Sequence, residues 1–254
     1  MKSIPVKKIP VAITTEQMRV VDRLMIEEYF ITLPQMMENA GRHLADLAWH
    51  MVNTNSQPKP PSKILVVCGT GNNGGGGMVA ARYLSNWGCE VSIYLAGKMN
   101  RLKSTPAKQW ATVKRLPLSV IATEDAGLTD RLNDAELIID AILGYGVSGN
   151  PRGLAGSAIN AIFASNRSRI LALDAPSGLD TTSGIAGKPT VKASATITLA
   201  LPKIGLIQSS ARKYVGDLYV ADIGVPPALY QKMNIEYPLL FNNQPIIRVT
   251  MDLK

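Results

Sequence analysis

Cysteine, histidine and aromatic residues are scarce in this chain, and so are long apolar runs. Among 254 residues there are two cysteines, two histidines, three phenylalanines and three tryptophans. Two cysteines cannot build a disulfide framework, and neither Cys68 nor Cys89 has a partner at zinc-ligand spacing. Both lie at the edges of apolar segments and read as buried free thiols. A chain of this length buries roughly three quarters of its unfolded surface and needs no covalent staples. The histidines, His43 and His50, fall on one expected helix and read as ordinary helix-surface residues. General acid–base work is therefore left to a carboxylate. No run approaches the ~18 apolar residues of a membrane span. The opening segment, MKSIPVKKIPVAITTEQ, is basic but lacks the apolar core of a signal peptide. A cytoplasmic location is expected. No repeat, low-complexity stretch or charge block divides the chain, so residues 1–254 are read as one domain.

Acids are the minority charge: 19 against 27 basic residues, for a net charge of +8. Lys98, Arg101, Lys103, Lys108, Lys114 and Arg115 form the densest basic stretch, with no acid between them. It reads as a solvated helix and loop. The other reading is attraction to a polyanion, a phosphate-rich ligand or RNA. No RNA-binding signature accompanies it, and only Trp110 supplies an aromatic, so nucleic acid is not an expected partner.

Alternation of apolar segments with amphipathic ones is what the chain has in abundance. Thr14 and Gln17 have capping-box spacing ahead of a helix expected to run to Tyr29. A second begins near Pro34, a residue suited to a first helical turn. Strands are then expected at 64–69, 90–96, 119–122, 136–143, 195–200 and 217–224, and residues 169–178 are expected to be strand then turn. Helices are expected at 78–87, 105–116 and 154–165. Such alternation means an α/β fold with a doubly wound, mostly parallel sheet, here preceded by two N-terminal helices. From Pro226 onward the sequence looks irregular, and the last dozen residues receive no assignment.

Open parallel sheets bind ligands at the carboxyl ends of their strands. Segments 69–77, 144–153 and 174–180 lie at such ends. The first, GTGNNGGGG, permits close backbone approach and precedes a helix whose free N–H groups suit a phosphate. It lacks the Lys-Ser/Thr of a P-loop and departs from the dinucleotide fingerprint; a plain tight turn is the other reading. Asp140 closes an apolar strand, where an acid is either a cap or a site residue. Asp174-Ala175-Pro176-Ser177-Gly178 places a second acid at a similar position. Carboxylate, hydroxyl and amide oxygens together suit an alkali or alkaline-earth cation, and Asp174 is the chosen acid–base group.

These segments, taken together, resemble one family. GTGNNGGGG is similar to the Gly-x-Gly-Asn-Asn-Gly-Gly-Asp-Gly loop of the NAD(P)H-hydrate epimerases, the YjeF N-terminal domain type. DAILGYGVSGNPRG resembles their second substrate loop, LDAPSGLD their Asp-x-Pro-Ser-Gly turn, and the segment from Gln17 to Ala45 their two N-terminal helices. The likeness spans roughly residues 14–226. It implies a Rossmann-like fold and an isomerase that interconverts the R and S forms of hydrated NADH and NADPH, for nicotinamide nucleotide repair. It implies one potassium ion per subunit, held by Asn73, Asp140 and Ser177. Substrate contacts would come from Asn72, Asn73, Gly74, Gly75 and Gly76, from Gly144, Tyr145, Gly146, Val147, Ser148, Gly149 and Asn150, and from Asp174. It further implies a homodimer working with a separate dehydratase, since 254 residues leave no room for a fused one. Gly76 stands where the family has Asp, and Phe30 where it usually has Gly. The missing carboxylate keeps a second reading open: a catalytically impaired binding or scaffold module, RNA-related or protein–protein.

Overall fold

The computed structural model describes residues 4–8, 11–53, 61–122, 127–165 and 169–250. Its elements run β1 (Val6–Lys8), α1 (Thr15–Glu27), α2 (Leu33–Val52), β2 (Lys63–Cys68), α3 (Asn72–Asn86), β3 (Glu90–Leu95), α4 (Ser104–Val113) and β4 (Ser119–Ala122). They continue α5 (Leu128–Asp134), β5 (Leu137–Ala141), α6 (Gly153–Ala164), β6 (Ile170–Leu173), β7 (Ala195–Leu199), α7 (Arg212–Val215), β8 (Asp217–Ala221), α8 (Pro227–Lys232) and β9 (Ile246–Thr250).

All nine strands join one sheet in the order β1-β9-β8-β7-β6-β5-β2-β3-β4. Every neighbouring pair is parallel except β8–β9. The chain winds outward from β2 through β3 to β4, then returns to β5 on the other side of β2 and winds away. The strand order therefore reverses between β2 and β5, which makes their carboxyl ends the expected ligand crevice. Alternation along β2 sorts the layers: Ile64, Val66 and Cys68 pack with Leu44, Met78 and Leu84 of α2 and α3. Leu65 and Val67 face the α5 and α6 residues Leu132, Ile159 and Ile162. A further apolar cluster, including Met18 and Val21 of α1 and Tyr230 of α8, covers the β8 end of the sheet.

The expected α1 cap is present. The Thr14 hydroxyl accepts from the Gln17 amide at 3.0 Å, and Gln17 Oε1 accepts from the Thr14 amide at 2.8 Å. The glycine run is a correction to the sequence reading. Residues 72–77 are the opening turns of α3, not a loop before it. Glycine is a poor helix former, so propensity argued for a loop. Close packing overrides that preference. A Cβ on Gly77 would stand 2.6 Å from the Ala141 Cβ, and one on Gly74 would stand 1.9 Å from the Gly69 carbonyl oxygen. Only bare backbone lets α3 lie this close to β5. β1 and β9, outside the 14–226 span of the resemblance, complete one edge of the sheet, and α5 and α8 were likewise not foreseen. Phe30 is 81% exposed and sits at φ +54, the left-handed region that suits the glycine its position has in the family. Neither cysteine is in a disulfide, and both are buried, as expected. Among the described residues no helix is long and apolar enough to cross a membrane.

Candidate active site

A cavity of about 490 Å³ opens at the carboxyl ends of β2, β5 and β6, within the range that holds small molecules. Its floor is the N-terminus of α3 and the segments after the three strands. Its far wall comes from α1 and α2, through Met18, Asp22, Met36 and Met37.

Two carboxylates mark the ends of adjacent strands. Asp140 is wholly buried in β5. Its Oδ1 accepts from the Ser177 hydroxyl at 2.6 Å and the Ile142 amide at 3.2 Å, and its Oδ2 from the Ser177 amide at 2.8 Å. These donors are neutral. Burial outweighs them and pushes the Asp140 carboxyl up to about 6. Ser177 Oγ in turn accepts from the Leu143 amide at 2.9 Å. Asp140 and Ser177 are therefore in direct contact. Asn73 ties instead to the Leu173 carbonyl, its Nδ2 donating at 3.3 Å. Its Oδ1 borders Gly144, on the segment that follows β5.

Asp174, directly after β6, is 2% exposed and takes φ +67. Aspartate tolerates this left-handed conformation better than most residues, at a cost of order 1–3 kcal/mol. The backbone is held there by the Asp174 amide donating to the Ile197 carbonyl at 2.7 Å. The side chain meets a partner the sequence reading missed. Lys203, fully buried, donates from Nζ to Asp174 Oδ1 at 2.5 Å, to Thr198 Oγ1 at 3.1 Å and to the Leu199 carbonyl at 3.0 Å. All three ammonium protons are thus used. Thr198 Oγ1 also donates to Asp174 Oδ1, at 3.2 Å. Oδ2 accepts from the Tyr145 amide at 2.8 Å, and Asp174 lines the cavity.

The phenol of Tyr145 donates to Asp22 Oδ2 of α1, a second residue absent from the sequence reading. Burial pushes the Asp22 carboxyl above its ordinary range and the Tyr145 phenol higher still from its own. Both residues had legible signals. Lys203 follows an apolar strand at its carboxyl end, the rule already applied to three other segments. Asp22 lies four residues after Met18 and three before Met25, on the buried stripe of its helix.

The other expected site residues divide by position. Asn72, Asn73, Gly76, Gly144, Tyr145, Gly146, Val147 and Asp174 line the cavity. Gly74 and Gly75 lie beneath its wall, where a Cβ on Gly75 would meet Met37 Sδ at 2.7 Å. Ser148, Gly149 and Asn150 stand away from it, with Asn150 Oδ1 accepting from the Lys188 amide at 2.9 Å. Of the basic stretch, Lys103 reaches the cavity. All six cations are exposed, as a solvated surface requires.

Fold and site together define an α/β protein with an enzyme-like pocket at a topological switch point, lined by a lysine-paired carboxylate. Residues 33–205 match the family described as YjeF-related protein N-terminus. The NAD(P)H-hydrate epimerase of Dehalogenimonas lykanthroporepellens is 36% identical over 224 residues, covering 88% of this chain and 86% of that protein. That of Rhodopirellula baltica is 32% identical over 231 residues, 91% of each. The bifunctional NAD(P)H-hydrate repair enzyme Nnr of Moorella thermoacetica is 33% identical over 233 residues, which are 90% of this chain but 43% of that protein. The crystal structure of yeast ynu0 superposes with a TM-score of 0.81 over 94% of this chain and 100% of that one; at 19% identity it speaks to the fold alone. The chain belongs to the YjeF-related family, among relatives named NAD(P)H-hydrate epimerase.

Proposed function

We propose that this protein is an NAD(P)H-hydrate epimerase, an isomerase that interconverts the R and S forms of hydrated NADH and NADPH, with Asp174 as its acid–base group. The observation that carries this is the Asp174–Lys203 pair. It fixes Oδ1 of a carboxylate that lines the cavity, while Oδ2 accepts from the Tyr145 amide. The reacting carbon bears a hydroxyl beside the ring nitrogen, whose lone pair expels it. A proton must then be given and taken while positive charge develops nearby, and an anchored carboxylate serves both needs. The amides at the start of α3, with Lys103 at the cavity mouth, suit the phosphates of a dinucleotide. The Asp174–Lys203 pair also speaks against an impaired scaffold. A buried ion pair in a strained backbone is a costly feature for a module that does no chemistry.

Potassium belongs to the same reading, one ion per subunit. Asp140 is a buried carboxylate whose hydrogen-bond donors are all uncharged, and a hydroxyl and a side-chain amide stand on the neighbouring segments. That all-oxygen donor set fits a hard monovalent cation. Asn73, Asp140 and Ser177 would hold it. It would supply positive charge that secures the segments after β2, β5 and β6. The further parts of the proposal are a cytoplasmic homodimer with NADHX and NADPHX as small-molecule substrates. A separate dehydratase acting on the S form would complete the repair. What supports a dehydratase partner is that the bifunctional repair enzyme of Moorella thermoacetica extends well beyond the part that matches this chain. The test is direct: purified protein is mixed with a single epimer of hydrated NADH, and the approach to the R/S equilibrium is followed by chromatography. Equilibration no faster than in buffer overturns the proposal.

A further inference from the structure

Epimerisation removes a hydroxyl from one face of a carbon and restores it on the other, so a site with one proton-transfer group has to serve two faces. The cavity wall carries a second carboxylate. Asp22 comes from α1, outside residues 33–205 that the family model matches, yet it lines the same cavity as Asp174. Tyr145 separates the two. Its backbone amide donates to Asp174 Oδ2 at 2.8 Å, and its phenol donates to Asp22 Oδ2. The carboxylates thus stand about one tyrosine side chain apart. A paired-carboxyl site with room for a water between is the arrangement that inverts an acetal-like carbon.

We propose that Asp22, held by the phenol of Tyr145, is the second proton-transfer group of this site and serves the ring face opposite Asp174. The inference rests on the epimerase reading. In one direction Asp22 gives its proton to the hydroxyl. The carbon–oxygen bond breaks, water leaves with that electron pair, and the nitrogen lone pair forms a carbon–nitrogen double bond. A water on the other face then bonds to the carbon, the double-bond pair returns to nitrogen, and Asp174 takes the proton. The reverse direction exchanges the two roles, and no oxidant or reductant is involved. The charged surroundings suit this division. Asp22 faces the Tyr145 phenol and feels the charges of Lys203 and Asp174, while burial favours its protonated form. Arg19, on the same helix face, reaches Gly146 and is paired with Glu16. Asp174, with Lys203 on Oδ1, is set up as the anionic partner.

The experiment follows oxygen as well as configuration. Each epimer is incubated separately in ¹⁸O-water with the parent protein, Asp22→Asn and Tyr145→Phe. Epimerisation and label uptake into the unconverted epimer are measured together. In Asp22→Asn, epimerisation is expected to fall about a hundredfold or more. The epimer whose hydroxyl faces Asp174 should still exchange its oxygen, because that face keeps its own acid and base. Tyr145→Phe should show the same split with a smaller loss, and it carries the test if Asp22→Asn does not fold. Exchange and epimerisation falling in parallel, or Asp22→Asn turning over at the parent rate, overturns the proposal. Parent protein that neither epimerises nor exchanges overturns the epimerase reading itself.

Discussion

Asp140 and Asp174 end adjacent parallel strands, are both buried, and yet are treated in opposite ways. Asp174 has a buried ammonium against one oxygen. Asp140 has a hydroxyl and two backbone amides, and no basic side chain among its hydrogen-bond donors. Burying an uncompensated carboxylate costs several kcal/mol, so each site needs a counter-charge. For Asp174 the chain brings its own. For Asp140 the proposed potassium ion would supply it. On the proposed function the internally paired carboxylate is the one that does the chemistry, and the other is the ligand of the ion.

The largest expected effect comes from removing the internally paired carboxylate. Asp174→Asn keeps the shape and tolerates the left-handed backbone, but it removes the base. Epimerisation should fall about a hundred- to ten-thousandfold, with substrate affinity changing far less. A variant that turns over at the parent rate would take Asp174 out of the mechanism and leave Asp140 as the strand-end carboxylate to test. Lys203→Met attacks the same pair from the other side. It strands the carboxylate in the interior and should cost about 3–5 kcal/mol of stability by denaturant unfolding. Adding Asp174→Asn to Lys203→Met removes the stranded charge, so the double variant should recover much of that stability and none of the activity. Stability that stays low in the double variant would mean that Lys203 acts through packing.

The open carboxylate should respond to its surroundings instead. Potassium added to a sodium- and potassium-free preparation should raise stability, by about 2.7 kcal/mol at a hundredfold excess over its Kd. Thermal unfolding reads this as a shift of several degrees. Asp140→Asn should abolish the response, while Asp174→Asn should leave it. Equal potassium responses in the parent and Asp140→Asn would erase the contrast between the two carboxylates.

How much of this contrast was readable in sequence follows from what each residue needs from its neighbours. Asp140 and Asp174 announce themselves because they close apolar runs, ILVVCG-like segments that can only be buried strands. Ser177 follows from the turn chemistry of Pro176 and Gly178. Lys203 and Asp22 were not found, because each becomes a site residue only through a partner far along the chain: 29 residues for Lys203 and Asp174, 123 for Asp22 and Tyr145. The helical start of α3 was hidden for a related reason. Gly74 and Gly77 are helical because of what presses on them, Gly69 and Ala141, and not because of their own preference. β1 and β9 gain their stability from each other and from β8, a closure that neither short segment advertises alone.

The smallest expected effect concerns Gly76, where the family carries Asp. Gly76 does not occupy a positive φ; it is an ordinary helical residue at the cavity wall. A Cβ there would meet Leu173 Cδ2 at 2.9 Å, the far end of a side chain that can turn aside. Replacing a helical glycine gains a few tenths of a kcal/mol in propensity, and a carboxylate near a helix N-terminus gains a similar amount. Against this stand the displaced leucine and repulsion from the neighbouring Asp174. Gly76→Asp should therefore change unfolding stability by no more than about 1 kcal/mol. Because α3 is already helical at this point, loop ordering is not what the carboxylate would add. Its contribution would be one hydrogen bond to bound substrate, so kcat/KM should rise by up to about tenfold. Loss of stability without a kinetic gain would show instead that the wall beside Leu173 has adapted to glycine.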